Sequence, residues 1–172
     1  MRKKIVRRFE NAKMCFICGL DNDAGMHANF YLADDGTVIG LATARDIHQS
    51  YPYCVHGGVS ASLLDDAMGR AIKAVEPDRW SVTVEMTTVY KRPVPYGEPL
   101  IVTGKLTQDG EKIYETCGEI ILADGTVAVT ATGKYFKMSP ERLAANGADE
   151  SYKFLVDEAF PEYIDIPEKS ET

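Results

Sequence analysis

The longest amphipathic pattern in the chain spans residues 57–76. Its apolar residues recur at the spacing that places them along one wide face of a helix. They are Val59, Leu63, Leu64, Ala67, Met68, Ala71, Ile72 and Val75. Because Pro77 cannot continue a helix, the pattern predicts one long helix that ends before this residue.

Six strands are predicted around this helix, at residues 29–32, 38–44, 79–90, 100–106, 113–122 and 127–136. The segment 79–90 shows the clearest alternation of apolar and polar residues. Asp-Gly steps at residues 35–36, 109–110 and 124–125 predict tight hairpin turns, which require positive φ angles. The order of a hairpin, one helix and four antiparallel strands predicts an α+β fold whose six-stranded sheet buries the helix on one face.

The two ends of the chain carry weaker patterns. Residues 3–13 suggest a short basic helix, and Ser139-Pro140-Glu141 is typical of a helix start, with Asn146-Gly147 as its stop. Residues 149–160 suggest one more short helix. We therefore predict an N-terminal basic segment at 1–14, one main domain at 15–138, and a C-terminal helical extension and tail at 139–172.

Composition narrows the possible partners and locations. The chain has 172 residues and a net charge of −7, which argues against a nucleic-acid partner, although a local basic patch could still hold phosphates. No stretch approaches the roughly 18 consecutive apolar residues of a membrane helix, so no membrane association is expected. Four cysteines are too few for a disulfide scaffold, and we expect a reduced, cytoplasmic protein.

The densest cluster of candidate chemistry is His56-Gly57-Gly58 at the predicted helix start. Backbone N–H groups at a helix N-terminus can bind an oxyanion or polarise a carbonyl group, and glycines leave them uncovered. The structural alternative is a glycine turn that lets the chain enter the helix beneath a sheet.

Two adjacent aspartates follow on the helix, and their neighbours distinguish them. Asp66 lies four residues before Arg70, the favourable orientation for an ion pair. Asp65 has no such partner on the helix and lies at the edge of the apolar face, where an isolated carboxylate is costly. It is a candidate general base or nucleophile, and the alternative is a boundary carboxylate that is hydrogen-bonded to a sheet residue.

Helix geometry separates the two halves of this candidate site. Gly57 and Gly58 precede Asp65 by seven to eight residues, which corresponds to roughly 11 Å along the helix axis. One small reacting group cannot contact both ends. If both act, Asp65 works with the glycines of a second subunit, as a symmetric dimer would allow.

Two further groups of residues are weaker candidates. Cys15-x-x-Cys18 suggests a zinc module, but no second pair completes a tetrahedral ligand set, so we predict no metal and a packing role. His48 and Gln49 precede the His-Gly-Gly turn and could bind a water or a substrate oxygen. A simple loop role is the alternative for both.

Residues 56–69 resemble the signature of hotdog-fold acyl-CoA thioesterases of the phenylacetic-acid-degradation type, a 4-hydroxybenzoyl-CoA thioesterase-like branch. Further blocks are similar in order and spacing. They are Cys15-Phe16-Ile17-Cys18-Gly19, Gln49-Ser50-Tyr51-Pro52, Arg92-Pro93-Val94-Pro95 and Gly97-Glu98-Pro99-Leu100. The resemblance covers residues 15–137. It implies the hotdog fold, in which a six-stranded antiparallel sheet wraps around one long central helix.

The resemblance also implies an activity, the hydrolysis of an acyl-coenzyme A thioester. In this family a glycine N–H of the His-Gly-Gly segment polarises the thioester carbonyl, a role that falls to Gly57, with Gly58 as a second candidate. An acidic helix residue of the partner subunit activates water or attacks directly, which corresponds to Asp65. A hydroxyl residue on the following strand helps to place the water, which corresponds to Thr83.

Substrate contacts follow from the same resemblance. His56 shapes the turn, and Gln49 or His48 takes the place of the amide residue that many relatives carry before His-Gly-Gly. Arg92 and Lys134 lie near strand ends and could hold coenzyme A phosphates.

The resemblance implies no separate cofactor, since coenzyme A is part of the substrate, and a homodimer or homotetramer. The alternatives are a non-enzymatic acyl-CoA sensor, which predicts binding without turnover, and a dehydratase on the same fold.

Overall fold

An eight-stranded antiparallel sheet forms the framework of the protein, in a computed structural model that describes residues 1–145 and 159–169. Its strands, in chain order, are β1 (Arg2–Arg8), β2 (Asn29–Ala33), β3 (Val38–Thr43), β6 (Trp80–Tyr90), β7 (Pro99–Asp109), β8 (Ile113–Ile121), β9 (Val127–Met138) and β10 (Tyr163–Asp165). Two short strands, β4 (Gln49–Tyr51) and β5 (Cys54–Val55), pair separately. The order across the large sheet is β10-β1-β2-β3-β7-β8-β9-β6.

The expected sheet of six strands is therefore wrong in number, because β1 and β10 extend it. The expected basic helix at residues 3–13 is also wrong, since Arg2–Arg8 is a strand. This strand has sheet partners on both sides, β2 and β10, which satisfy its backbone. Tertiary pairing here outweighs a local pattern that is only weakly helical.

The central helix α1 spans Gly57–Gly69 and continues as tighter 3-10 turns over Arg70–Ala74, so it is shorter than the predicted segment 57–76. The sheet beneath it carries glycines where the helix comes closest. A Cβ atom at Gly104 would lie 2.4 Å from the Ala67 carbonyl oxygen, and one at Gly118 would lie 2.8 Å from the Met68 side chain. Glycine is therefore required for the close packing of helix against sheet.

The opposite face of the sheet has a second, smaller core. Residues 159–169 return across this face, and β10 pairs with β1. The core consists of Ile5, Tyr31, Ala33, Ile39, Ile121, Ile164 and Ile166. This C-terminal segment thus covers apolar surface on the side of the sheet that faces away from α1.

Strand β6 forms one edge of the sheet, because it pairs with β9 alone among the described residues. A bulge between Thr83 and Glu85 interrupts the alternation that the sequence predicts as continuous. On this edge Val82 and Val84 are 47% and 56% exposed. A long edge strand with exposed apolar residues is a surface that proteins normally cover.

All three Asp-Gly steps connect neighbouring strands, as predicted, but they do so in two ways. Gly36 and Gly125 adopt positive φ angles of 80° and 84°. Gly110 does not, and it is needed for a different reason. A Cβ atom there would lie 2.4 Å from the Ile113 carbonyl oxygen.

The predicted helix start after Ser139 is confirmed, since α2 spans Pro140–Ala145 and the Arg142 N–H donates to Ser139 Oγ at 3.3 Å. The expected stop at Asn146-Gly147 and residues 149–158 of the second predicted helix lie outside the described residues. Across the described part of the chain, no helix is both long and apolar enough to cross a membrane.

Candidate active site

The start of α1 presents one free backbone donor. The Gly58 N–H is occupied, since it donates to His56 Nδ1 at 2.9 Å. The Gly57 N–H has no acceptor among the described residues, and as the first helical position it lacks a partner within the helix. Of the two glycines that the sequence singles out, Gly57 is therefore the one whose N–H remains available at the positive end of the helix.

A tyrosine and two cationic side chains line a cavity together with Gly57. The Tyr90 hydroxyl donates to the Gly57 carbonyl at 2.8 Å, which fixes the helix start against β6. Tyr90, Lys91 and Arg92 line a cavity of about 310 Å³ together with Gly57. Arg92 therefore lines the same cavity as Gly57. Tyr90 and Lys91 add a fixed hydroxyl and a second positive charge to the same cavity.

Asp65 lies about two turns further along the helix, and its carboxylate is held by the sheet. Asp65 Oδ1 accepts hydrogen bonds from Thr83 Oγ1 at 2.8 Å and from the Tyr135 hydroxyl at 3.0 Å. The structure thus brings Asp65 and Thr83 together. It also supplies the sheet partner that the structural alternative for Asp65 requires. These contacts therefore fit both a structural and a catalytic carboxylate.

Tyr135 is a site residue that the sequence did not reveal. It is buried on β9 and stacks on Tyr114, with ring centroids 5.3 Å apart. Burial raises the pKa of the Tyr135 hydroxyl, and the neighbouring Asp65 charge raises it further. Tyr135 therefore keeps its proton and acts as a permanent donor to the carboxylate. The alternation of β9 could have placed Tyr135 on the helix-facing side, but not opposite Asp65.

These three residues face a cavity of about 320 Å³ at the β6 edge of the sheet. Phe16 of the N-terminal loop, Lys73 of the 3-10 turns after α1 and Trp80 of β6 also line it. Gly57 does not line this cavity. Within one chain, the free N–H and the carboxylate therefore open into different cavities, in agreement with the separation along the helix.

The His48 side chain has a structural role. It is buried, its Nδ1 accepts from the Arg45 N–H at 2.9 Å, and its Nε2 donates to the Ala24 carbonyl at 2.9 Å. Both ring nitrogens are used, so the structure gives no support to the expected substrate contact. Gln49 is exposed and shares a cavity of about 270 Å³ with His48, His56 and Phe16.

The other expected phosphate contact, Lys134, lies elsewhere. Its Nζ pairs with Glu85 at 3.5 Å across β9 and β6, and it lines a small cavity with Glu115. Lys134 is therefore not grouped with Gly57 or Asp65. Basic side chains at strand ends cannot be assigned to a ligand from sequence position alone, because an acidic residue on the neighbouring strand can form an ion pair with them instead.

The N-terminal cysteines come together with an aspartate. One ligand atom each from Cys15, Cys18 and Asp66 lies within 4.8 Å of the other two. Arg70 Nη2 also contacts this group, at 3.2 Å from Cys18 Sγ and 3.1 Å from Asp66 Oδ2. The predicted pair of Asp66 and Arg70 is confirmed, and it belongs to a cluster with the cysteines.

Comparisons with known proteins agree with this fold. Residues 54–129 match the family described as the thioesterase superfamily. A solved structure described as a thioesterase superfamily protein is 36% identical, with a TM-score of 0.65 over 71% of this chain and 59% of that one. A protein of Streptococcus mutans, solved bound to acetyl CoA, shares the fold at 21% identity, with a TM-score of 0.56 over 60% of this chain and 82% of that one.

A curated relative is also similar to this chain. The acyl-coenzyme A thioesterase THEM4 of Bos taurus is 27% identical over 129 residues, which are 74% of this chain and 52% of THEM4. The chain thus spans about half the length of this relative.

Proposed function

We propose that the chain is a member of the hotdog-fold thioesterase superfamily and that it hydrolyses an acyl-coenzyme A thioester to a free acid and coenzyme A. The proposal rests on the presence of two groups on the same helix. One is a free N–H at the helix start, and the other is a carboxylate that is fixed by two hydroxyl donors. THEM4 is named as an acyl-coenzyme A thioesterase, and the S. mutans structure holds acetyl CoA. Both names support the same substrate class.

In the proposed mechanism, the Gly57 N–H stabilises negative charge on the carbonyl oxygen. As a water attacks the thioester carbon, this oxygen becomes an oxyanion, and the positive helix end stabilises it further. Collapse of the tetrahedral intermediate breaks the carbon–sulfur bond and releases the coenzyme A thiolate. Arg92 and Lys91 lie where the phosphates of coenzyme A could be held beside this terminus.

Asp65 supplies the base in this proposal. It takes a proton from the attacking water, and Thr83 helps to place that water because its hydroxyl oxygen can still accept a hydrogen bond. Thr83 and Tyr135 both donate to the carboxylate, and these two hydrogen bonds fix its direction.

We propose that the complete site lies between two copies of the chain. Gly57 and Asp65 line separate cavities within one chain, and the Asp65 cavity is lined in part by β6, which pairs with β9 alone among the described residues. A second copy that covers the exposed valines of this edge can bring its Gly57 to the first copy's Asp65. A dimer of this kind carries two equivalent sites, and pairing of dimers would give the tetramer.

The base is tested by Asp65→Asn, which keeps the shape of the side chain but removes the charge. Hydrolysis should fall by about 10²–10⁴-fold, measured as thiol release from short, medium and aromatic acyl-CoAs, while folding and association persist. The adjacent Asp66→Asn is the matched control and should retain hydrolysis when folded. Full activity in Asp65→Asn contradicts the mechanism. Saturable binding by the unmodified protein, with no thiol release from any substrate, contradicts the function itself.

The oxyanion donor is tested by Gly57→Pro, which removes this one N–H. Proline is well tolerated at the first helical position, and the preceding His56 has φ −58° and ψ 133°, values compatible with a following proline. Hydrolysis should fall by about 10²–10³-fold. Gly57→Ala keeps the N–H, and its Cβ atom would meet the Tyr90 ring at an acceptable 3.4 Å. Equal losses in both variants contradict the role of the N–H.

A further inference from the structure

Cys15 and Cys18 stand at the two ends of one tight turn. The turn closes when the Gly19 N–H donates to the Cys15 carbonyl at 2.8 Å. A side chain at position 19 is excluded, because its Cβ atom would lie 2.3 Å from that same carbonyl oxygen. The backbone therefore holds the two sulfur atoms within 4.8 Å of each other.

The two thiols differ in what surrounds them. Cys15 Sγ accepts from the backbone N–H groups of Ile17 and Cys18, each at 3.4 Å. The Cys18 thiol donates to it as well, and this contact, with the backbone donors, lowers the pKa of Cys15 to about 6 despite its burial. The Cys15 thiolate and burial both raise the pKa of Cys18. The lower pKa thus belongs to Cys15, the sulfur that also accepts two backbone N–H groups.

The two cysteines also differ in their exposure to solvent. Cys15 is half-buried and lines the cavity that contains Asp65, whereas Cys18 is only 2% exposed. An external reagent can therefore reach Cys15 from the cavity, whereas Cys18 is shielded from solvent. This is the arrangement of an attacking thiolate with a protected resolving thiol.

We propose that Cys15 and Cys18 form a reversible disulfide, with Cys15 as the sulfur that reacts first with a small-molecule disulfide. The Cys15 thiolate attacks one sulfur of the reagent and expels the other as a thiolate, which leaves a mixed disulfide on Cys15. Cys18 then loses its proton to the departing thiolate and attacks Cys15 Sγ, which expels the second half of the reagent. The two cysteines are oxidised by two electrons, and the reagent is reduced to one thiol and one thiolate, which takes its proton from water.

A metal site is the competing use of the same cluster, and Arg70 disfavours it. Its guanidinium contacts both Cys18 Sγ and Asp66 Oδ2 and stacks over the Phe30 ring, with 4.7 Å between Cζ and the ring centroid. The positive charge that a cation would bring to these donors is already present. A divalent ion bound to the same three atoms would lie against a fixed guanidinium group.

The test uses the reduced protein and oxidised glutathione at neutral pH. The free thiols should fall from four to two, and the mass should fall by two hydrogen atoms. Dithiothreitol should restore both values. Retention of all four thiols contradicts the proposal, as does zinc bound in stoichiometric amount to the purified protein with two thiols protected by it.

Two variants separate the roles of the sulfur atoms. Cys18→Ser should accumulate one glutathionyl group on Cys15, because no thiol is left to resolve it. Cys15→Ser should not react at Cys18 while it is folded. Cys117→Ser, on the opposite face of the sheet, is the control and should still form the disulfide. Equal glutathionylation of Cys15→Ser and Cys18→Ser contradicts the assignment. None of these measurements depends on thioester hydrolysis, so they stand apart from the proposed function.

Discussion

The hydroxyl of Tyr135 donates a hydrogen bond to Oδ1 of Asp65, with 3.0 Å between the two oxygen atoms. Thr83 donates to the same oxygen. Oδ2 has no hydrogen-bond donor within the described parts of the chain, residues 1–145 and 159–169. One carboxylate oxygen is therefore anchored to the sheet, and the other is the oxygen that the proposed mechanism uses.

Tyr135→Phe removes one anchor and should lower kcat for thioester hydrolysis by about tenfold. A hydrogen bond to a charged acceptor contributes about 1.5 kcal/mol, and each 1.36 kcal/mol corresponds to about a factor of ten in rate. Tyr114→Phe is the matched control, because its hydroxyl donates to the Gly69 carbonyl instead, at 2.7 Å. Steady-state kinetics of both variants provide the measurement, and equal losses would point to the packing of the stacked rings.

Mixing two inactive variants should restore activity if the site is shared between subunits. Asp65→Asn chains contribute an intact Gly57, and Gly57→Pro chains contribute an intact Asp65. A mixed dimer then holds one complete site and one with both defects, so random exchange should recover about a quarter of the original activity. Activity is followed after subunits exchange in mild denaturant. No recovery, with mixed dimers present, would mean that both groups act within one chain.

Asp66→Asn should lower the free energy of unfolding by about 2 kcal/mol, the scale of a hydrogen bond between charged groups. Burial alone would lower the pKa of Arg70, but Asp66 and the cysteines raise it, so the buried guanidinium depends on these partners. Urea denaturation measures the effect. Asp21→Asn, at an exposed pair with Lys13, is the control and should change stability by less than about 0.5 kcal/mol. Similar midpoints for the two variants would contradict the prediction.

The turn before β3 should contribute stability that depends on pH. Burial opposes ionisation of Asp35, but hydrogen bonds from Lys3 and Thr37 outweigh it and lower the pKa of Asp35 to about 2. An unfolded aspartate titrates near about 3.9, so the contribution is present above that pH and is lost as the pH falls toward 2. Asp35→Asn should therefore be less stable than the parent protein at pH 6, with a difference that disappears near pH 2.

Urea denaturation across this pH range is the measurement for Asp35→Asn. Asp34→Asn, in the same turn, is the control and should show no such trend. A difference between Asp35→Asn and the parent protein that persists unchanged at pH 2 would contradict the linkage.

The central elements were predictable because their signals are local. Helical spacing defined α1, alternation defined the strands that contact it, and Asp-Gly steps defined the hairpins. Asp65 could be distinguished from Asp66 for the same reason, since a helix determines which residues are neighbours. The assignment of Asp65 as the base stays a prediction.

Contacts between distant segments were not predictable. Tyr135 lies 70 positions from Asp65 in sequence, and nothing in β9 indicates that its hydroxyl meets a helix carboxylate. His48 appeared available because the partners of its two ring nitrogens are backbone groups of other residues. They are the Arg45 N–H and the Ala24 carbonyl, and the sequence does not show that either group meets the ring. Strand β1 appeared helical because its basic residues show no alternation, and its pairing with β10 depends on the far end of the chain.

The pairing of β1 with β10 affects the order in which the sheet can assemble during synthesis. Arg2 faces Asp165, and among the described strands β1 is synthesised before all the others and β10 after them. Contacts between such distant positions form late, because closing a long loop costs entropy before any contact compensates for it. We therefore expect the helix-covered face of the sheet to assemble while the outer edge of β1 is still bare, and the core around Ile5 and Ile164 to close last.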